Sequence, residues 1–145
     1  MSRAWKKIGE SDLSPVKNGK RKELEIKTYQ KESIIVMGSE LQYNSFWLKM
    51  MFIGSATCQL NLSKDKTDRT TIAYVAEGYT KRELGVLEYW CNQHKFNAFR
   101  LNSNSDLISL MNKDKEDYKI ISLIFFSHGY PGTISLNYNK KRHQF

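Results

Sequence analysis

Three apolar blocks separated by two helical patterns are the strongest constraint on how this chain folds. Residues 71–76, 98–101 and 120–126 are short runs rich in β-branched, aliphatic and aromatic side chains, as buried strands are. The first run closes at Glu77-Gly78. Thr80 and Glu83 then form a T-x-x-E capping box, in which the threonine hydroxyl accepts from the N3 amide and the glutamate reaches back to the cap amide. Leu84, Leu87, Trp90, Cys91 and His94 follow at helical spacing. Ser103 and Asp106 offer a second cap ahead of Leu107, Leu110 and Met111. The third run is almost uninterruptedly apolar, which predicts a strand covered on both faces. Tyr130-Pro131-Gly132 suits a tight turn, with proline fixing φ and glycine supplying a positive φ, and residues 133–138 read as a further strand, paired back as a hairpin. Residues 70–138 are thus predicted to be a βαβαβ unit, whose parallel strands are joined by right-handed crossovers.

The preceding part looks β-rich over residues 23–69. Leu24, Ile26 and Thr28 alternate with charged residues, residues 33–37 form a short apolar run ended by Gly38, and Ala56, Cys58, Leu60 and Leu62 alternate with polar side chains. Residues 41–53 fit either a short helix or a buried strand, and residues 63–69 are a polar turn. The resulting expectation is a basic tail at 1–22 and a single α/β domain at 23–145, a three-layer sandwich on a parallel sheet. A chain of 145 residues buries roughly 70% of its unfolded surface, enough to fold without a disulfide or a metal.

The net charge of +8 suggests nucleic acid or an anionic membrane until it is located. Residues 1–22 hold seven basic and two acidic residues, and residues 140–145 hold Lys140, Lys141 and Arg142. The stretch between them balances 13 basic against 13 acidic residues, so the body is neutral and a nucleic-acid partner is disfavoured. The two cysteines, Cys58 and Cys91, fit no zinc spacing, no metal site is expected, and no P-loop or other cofactor motif is present. The N-terminus is polar, with no visible signal peptide, and no apolar run approaches the roughly 20 residues needed to span a membrane. The expected location is the cytoplasm, or secretion without a visible signal peptide.

With the first strand of the βαβαβ unit at its centre, the strand order is 2-1-3, and the crevice lies between strands one and three. Their carboxyl ends carry Glu77-Gly78-Tyr79 and Ser127-His128-Gly129. Ligands of open α/β sheets bind at such a switch point. His128 suits proton transfer near neutral pH, and the Gly129 amide is placed to stabilise an oxyanion. Glu77, Gly78 and Ser127 are the candidate substrate contacts. His94 shares a helix face with Leu84, Leu87 and Cys91 and reads as core, and His143 belongs to the basic tail.

The helix from Leu84, the short strand 96–101, the helix with Asp106-Leu107 and the strand ending in Ser127-His128-Gly129 resemble the first half of a caspase-like cysteine peptidase. The segment Gly132-Thr133-Ile134-Ser135-Leu136 occupies the place of the short β-segment after the histidine. The resemblance implies a caspase-like or flavodoxin-like sheet, His128 as general base, and Gly129 in the oxyanion hole. It also implies a nucleophilic cysteine on the next core strand, yet the 17 residues after His128 contain none. Cys91 reads as core and Cys58 as an inward-facing strand residue. The Phe126–Gly132 segment also resembles the early His-Gly of α/β-hydrolases, whose G-x-S-x-G elbow is absent here.

Two functional expectations follow. One is an incomplete or processed hydrolase, including a secreted bacterial toxin or effector module, whose partner is the rest of its own chain or an inhibitor protein. The other is a non-enzymatic module that binds a protein or peptide through the crevice or a sheet edge. An unfinished sheet is expected to leave residues 133–138 as its open edge.

Overall fold

The computed structural model describes residues 27–136. The expected basic tail at 1–22 and the residues after 136 lie outside them. The described part is α/β, with a four-stranded parallel sheet between two helical layers. Its elements are β1 (Gln30–Met37), α1 (Phe46–Ser63), β2 (Arg69–Val75), α2 (Lys81–His94), β3 (Asn97–Leu101), α3 (Asn104–Asn112), β4 (Tyr118–Phe126), β5 (His128–Tyr130) and β6 (Thr133–Ser135).

The sheet order is β3-β2-β1-β4, with every pair parallel. β1 to β2 and β2 to β3 step in one direction through α1 and α2. β3 to β4 steps back across the whole sheet through α3. Right-handed crossovers then require α1 and α2 on one face and α3 on the other, and the packing agrees. Ile35, Met37, Ile72 and Tyr74 pack with Ile53, Ala56, Leu60, Leu87 and Cys91 of α1 and α2. Ile34, Val36, Ala73 and Val75 meet Leu110 of α3, together with Leu101 and Leu136.

The expected order 2-1-3 is corrected by one inserted strand. β2 and β4 are not neighbours, because the modest apolar run at 33–37 forms the centre of the sheet between them. Ile34, Ile35, Val36 and Met37 have no exposed surface at all. β4, expected to be covered on both faces, is instead an edge strand, with Ile121 54% and Leu123 36% exposed. A long apolar run signals burial but cannot say which strand sits at the centre.

The β-rich reading of residues 23–69 is also corrected. Of the pattern Leu24, Ile26 and Thr28, only Thr28 lies among the described residues, and it precedes β1. Residues 56–62 belong to α1, where the buried positions Ile53, Ala56, Thr57, Leu60 and Ser63 follow a helical period. The alternation misled because α1 also exposes apolar side chains, Trp47, Leu48, Met51 and Leu62, which blur the 3.6-residue signal.

The predicted Thr80–Glu83 capping box starts α2, and the predicted Ser103–Asp106 cap starts α3, where it forms a capping box too. A hairpin also forms, but its second strand is only Thr133–Ser135 and belongs to a separate two-stranded sheet. Among the described residues the open edge on that side of the main sheet is therefore β4 rather than residues 133–138 as expected. β5 pairs antiparallel with β6 around Pro131-Gly132, with Gly132 at φ +81°. At the amino end of the sheet the buried Glu32 carboxylate is held by Arg69 at 2.8 Å and Lys115 at 2.5 Å. The Arg69 guanidinium also reaches Asp114 at 2.9 Å and lies 3.7 Å from the centre of the Tyr118 ring.

Removing one partner of a buried charge leaves it undercompensated. Arg69→Ala is expected to lower unfolding free energy by about 2 kcal/mol, since Lys115 still serves Glu32. Thr80→Ala should cost about 1 kcal/mol through loss of the cap. Urea unfolding midpoints at constant m-value check both.

Candidate functional site

The step back from β3 to β4 puts the topological switch between β1 and β4, the place where open α/β sheets bind ligands. The two strands stay paired to their ends, where the Gly38 amide donates to the Phe126 carbonyl at 2.8 Å. Beyond that point the chains still run close together. A Cβ built on Gly38 would lie 2.9 Å from the Ser127 Cβ, so only glycine permits this approach. Ser127, expected as a substrate contact, is thus part of the β1–β4 packing. Ser39 continues from β1, its amide donating to the Leu136 carbonyl at 3.1 Å just after the hairpin.

These contacts bring Glu40, on the loop after β1, against His128, on the first residue after the β4 bend. His128 Nε2 lies 2.8 Å from Glu40 Oε2. The Glu40 side chain is 1% exposed and that of His128 24%, so the carboxylate is buried while the imidazole reaches the surface. The second carboxylate oxygen accepts from the Gln42 amide at 2.8 Å and the Tyr43 amide at 3.3 Å. Both oxygens are therefore engaged, and the group cannot swing away without orphaning donors.

A carboxylate only accepts hydrogen bonds. Nε2 must then carry the proton, which leaves Nδ1 of the neutral ring with its lone pair. Nδ1 has no hydrogen bond among the described residues. The pair is thus a histidine with one nitrogen fixed by a buried carboxylate and the other available as a base. The rings of Phe52, at 4.9 Å between centroids, and Tyr43, at 6.4 Å, flank the imidazole and restrict its rotation.

The other predicted residues fall around this pair. Gly129 lies in the hairpin opposite Ile134, and a Cβ there would meet the Thr133 carbonyl oxygen at 2.8 Å. Gly78, at φ +86°, sits against the backbone of Glu40. Tyr79 donates its hydroxyl to the Gly38 carbonyl at 3.1 Å. Burial, with smaller contributions from Glu40 and Glu83, pushes the Tyr79 hydroxyl well above the usual tyrosine range, so it acts as a donor. Glu77 is half-buried and makes no side-chain hydrogen bond or ion pair among the described residues.

Neither cysteine joins the site. Cys58 is exposed on α1, where the strand reading had turned it inward. It lies six residues beyond Phe52, about 9 Å along the axis and roughly one and two-thirds turns around it. Cys91 is buried in the core under α2, and burial, with a smaller push from Glu88, raises its thiol to about 11. His94 is wedged between Trp90, 4.2 Å away between centroids, and Phe96 at 5.9 Å. No group of three or more metal-ligating side chains is present among the described residues, and none of their helices is long and apolar enough to cross a membrane.

Glu40 was not among the residues singled out from sequence. Its signal was present: Gly38-Ser39-Glu40 ends the apolar run 33–37 just as Ser127-His128-Gly129 ends β4. Only the strand order makes those two ends neighbours. The chain matches no protein-family model, and the searches of curated proteins and of solved structures return no significant match. The geometry of the site therefore carries the functional argument alone.

Truncating His128 to alanine leaves the buried Glu40 carboxylate one donor short. His128→Ala is expected to cost about 1–3 kcal/mol in urea unfolding, whereas His128→Gln, which can still donate, should recover most of it. Alkylation by iodoacetamide at pH 8 should modify Cys58 within minutes and spare Cys91 until the chain unfolds. The raised Cys91 value keeps that thiol protonated at any pH well below about 11. Peptide mass mapping distinguishes the two thiols.

Proposed function

We propose that this chain supplies the histidine half of a hydrolase that resembles a caspase-like cysteine peptidase. His128 is its general base, and Glu40 is the residue that orients it. The observation that carries the reading is the Glu40–His128 bond at the switch point, with Nε2 on the carboxylate and Nδ1 without a hydrogen bond among the described residues. In a hydrolytic cycle Nδ1 takes the proton of the attacking thiol or hydroxyl as the new bond to the substrate carbonyl forms. It returns that proton to the leaving amine as the tetrahedral intermediate collapses. The Gly129 amide is the proposed oxyanion donor, and Glu77 lines the approach.

The nucleophile is proposed to come from a segment or a partner chain that pairs with the open side of β4. That edge is unpaired among the described residues and presents Ile121 and Leu123 to solvent. A strand added there in parallel would lie about 4.8 Å from β4. Its carboxyl end would reach the crevice beside His128, where a nucleophile is needed.

The test uses the chain recovered from its native host with whatever accompanies it, assayed on a panel of peptide anilides, alongside its intact mass. Cleavage is expected, with kcat/KM falling about 1,000-fold in His128→Gln. Cleavage that survives His128→Gln, or its absence from a preparation of mass 17.0 kDa with no accompanying chain, would sink the proposal.

The same exposed edge favours a second reading, a non-enzymatic module that binds a protein by strand addition. It predicts a co-purifying partner lost in Ile121→Lys, which places a charge on the edge, but retained in His128→Gln, with no peptide cleavage in either.

A further inference from the structure

The turn between β2 and α2 touches the Glu40 loop at two points and the helix after it at a third. Gly78 packs so closely that a Cβ on it would lie 2.1 Å from the Glu40 carbonyl oxygen, 2.6 Å from its carbonyl carbon and 3.0 Å from Leu41 Cδ2. The Tyr79 hydroxyl donates to the Gly38 carbonyl at 3.1 Å, on the opposite flank of the same loop. The Lys49 ammonium, from the first turns of α1, donates to the Gly78 carbonyl and ties the turn to the helix that follows the loop. None of the three contacts reaches His128; two hold the backbone that carries Glu40, and the third anchors the turn that packs against it.

We propose that Gly78 and Tyr79 are positioning residues, forming a clamp that sets where Glu40 stands and so which nitrogen of His128 is left free. The sequence alone suggested Gly78 as a substrate contact, whereas here it acts through Glu40. The physical case rests on two constraints. Gly78 has φ +86°, a conformation that residues with a Cβ adopt only with strain. The space a Cβ would occupy is already filled by backbone, which cannot turn aside as a side-chain tip can. Substitution must therefore displace the Glu40 loop, the β2–α2 turn, or both. Tyr79 adds a fixed point, because its half-buried hydroxyl stays protonated and keeps donating to the Gly38 carbonyl.

As a statement about catalysis the clamp rests on the proposed hydrolase reading. As a statement about geometry it does not. Two readouts therefore separate them. The first is the exchange-protected Nε2–H proton of His128, followed by NMR and assigned by its loss in Glu40→Gln. It is expected in the unaltered chain, and in Gly78→Ala and Tyr79→Phe it should weaken or exchange at least about tenfold faster, as a disturbed buried hydrogen bond does. Tyr79→Phe removes a single oxygen and retains the ring, so it serves where Gly78→Ala does not fold. Gly85→Ala, on α2 where an added Cβ would meet nothing within 4 Å, is the control for a general effect of glycine replacement and should leave the resonance alone.

The second readout is peptide cleavage by the chain recovered from its native host. Displacement of the base should lower kcat by about 100-fold in Gly78→Ala with little change in KM. A resonance unchanged in both Gly78→Ala and Tyr79→Phe would overturn the clamp. So would cleavage that requires His128 yet keeps its full kcat in both variants. A resonance lost as expected, in a chain whose cleavage ignores His128, would support the clamp and overturn the hydrolase reading instead.

Discussion

A carboxylate with almost no exposed surface has to be satisfied by donors on every side, and at Glu40 those donors come from parts of the chain far apart in sequence. Two are amides of its own loop and the third is the imidazole of His128, 88 residues away. The loop closes at the end of β1, and the imidazole arrives at the end of β4. The pair therefore exists only because β1 and β4 are adjacent, and any strand order that separated them would leave a buried charge short of a partner.

That adjacency depends on β1 being an interior strand, between β2 and β4. Its residues from Ile34 to Met37 are fully buried by helices on both faces. The opposite end of the same strand carries a second buried carboxylate, Glu32, neutralised by Arg69 and Lys115. A buried acid thus stands at each end of β1, Glu32 within the strand and Glu40 on the loop after it. The two are satisfied differently. Glu32 is matched by two permanent cations, an arrangement that fixes structure. Glu40 is matched by two backbone amides and by an imidazole, whose second nitrogen can accept a proton. Only the second arrangement suits proton transfer, and it sits at the carboxyl end of the sheet, where ligands bind.

What was legible in the sequence was local. The Thr80–Glu83 and Ser103–Asp106 boxes, the Pro131-Gly132 turn and the strands of the 70–126 region are written in side chains that act on backbone within a few residues. The general α/β class follows from their alternation. His128 was picked out because it ends a strand, again a local property. What escaped was tertiary. The central place of β1 is encoded in no short window, and a shorter apolar run than that of β4 fills it. α1 escaped because Trp47, Leu48, Met51 and Leu62 remain exposed, so the helical period was masked and a chance alternation at 56–62 read as a strand. Glu40 escaped for both reasons, since its partner lies across a strand pair that the sequence did not reveal. Gly78 was noticed, but its close contact is with Glu40 backbone, a packing relation that turn chemistry alone does not disclose.

The central claim is that Glu40 holds His128 in one tautomer with Nδ1 as the working nitrogen. Long-range proton–nitrogen correlation of the His128 ring at a pH where the imidazole is neutral tests it directly. The account predicts a protonated Nε2 and a bare Nδ1 in a single, non-averaging species, and averaging of the two nitrogens once Glu40 is changed to glutamine. A protonated Nδ1 in the unaltered protein, or free exchange between tautomers, would contradict it.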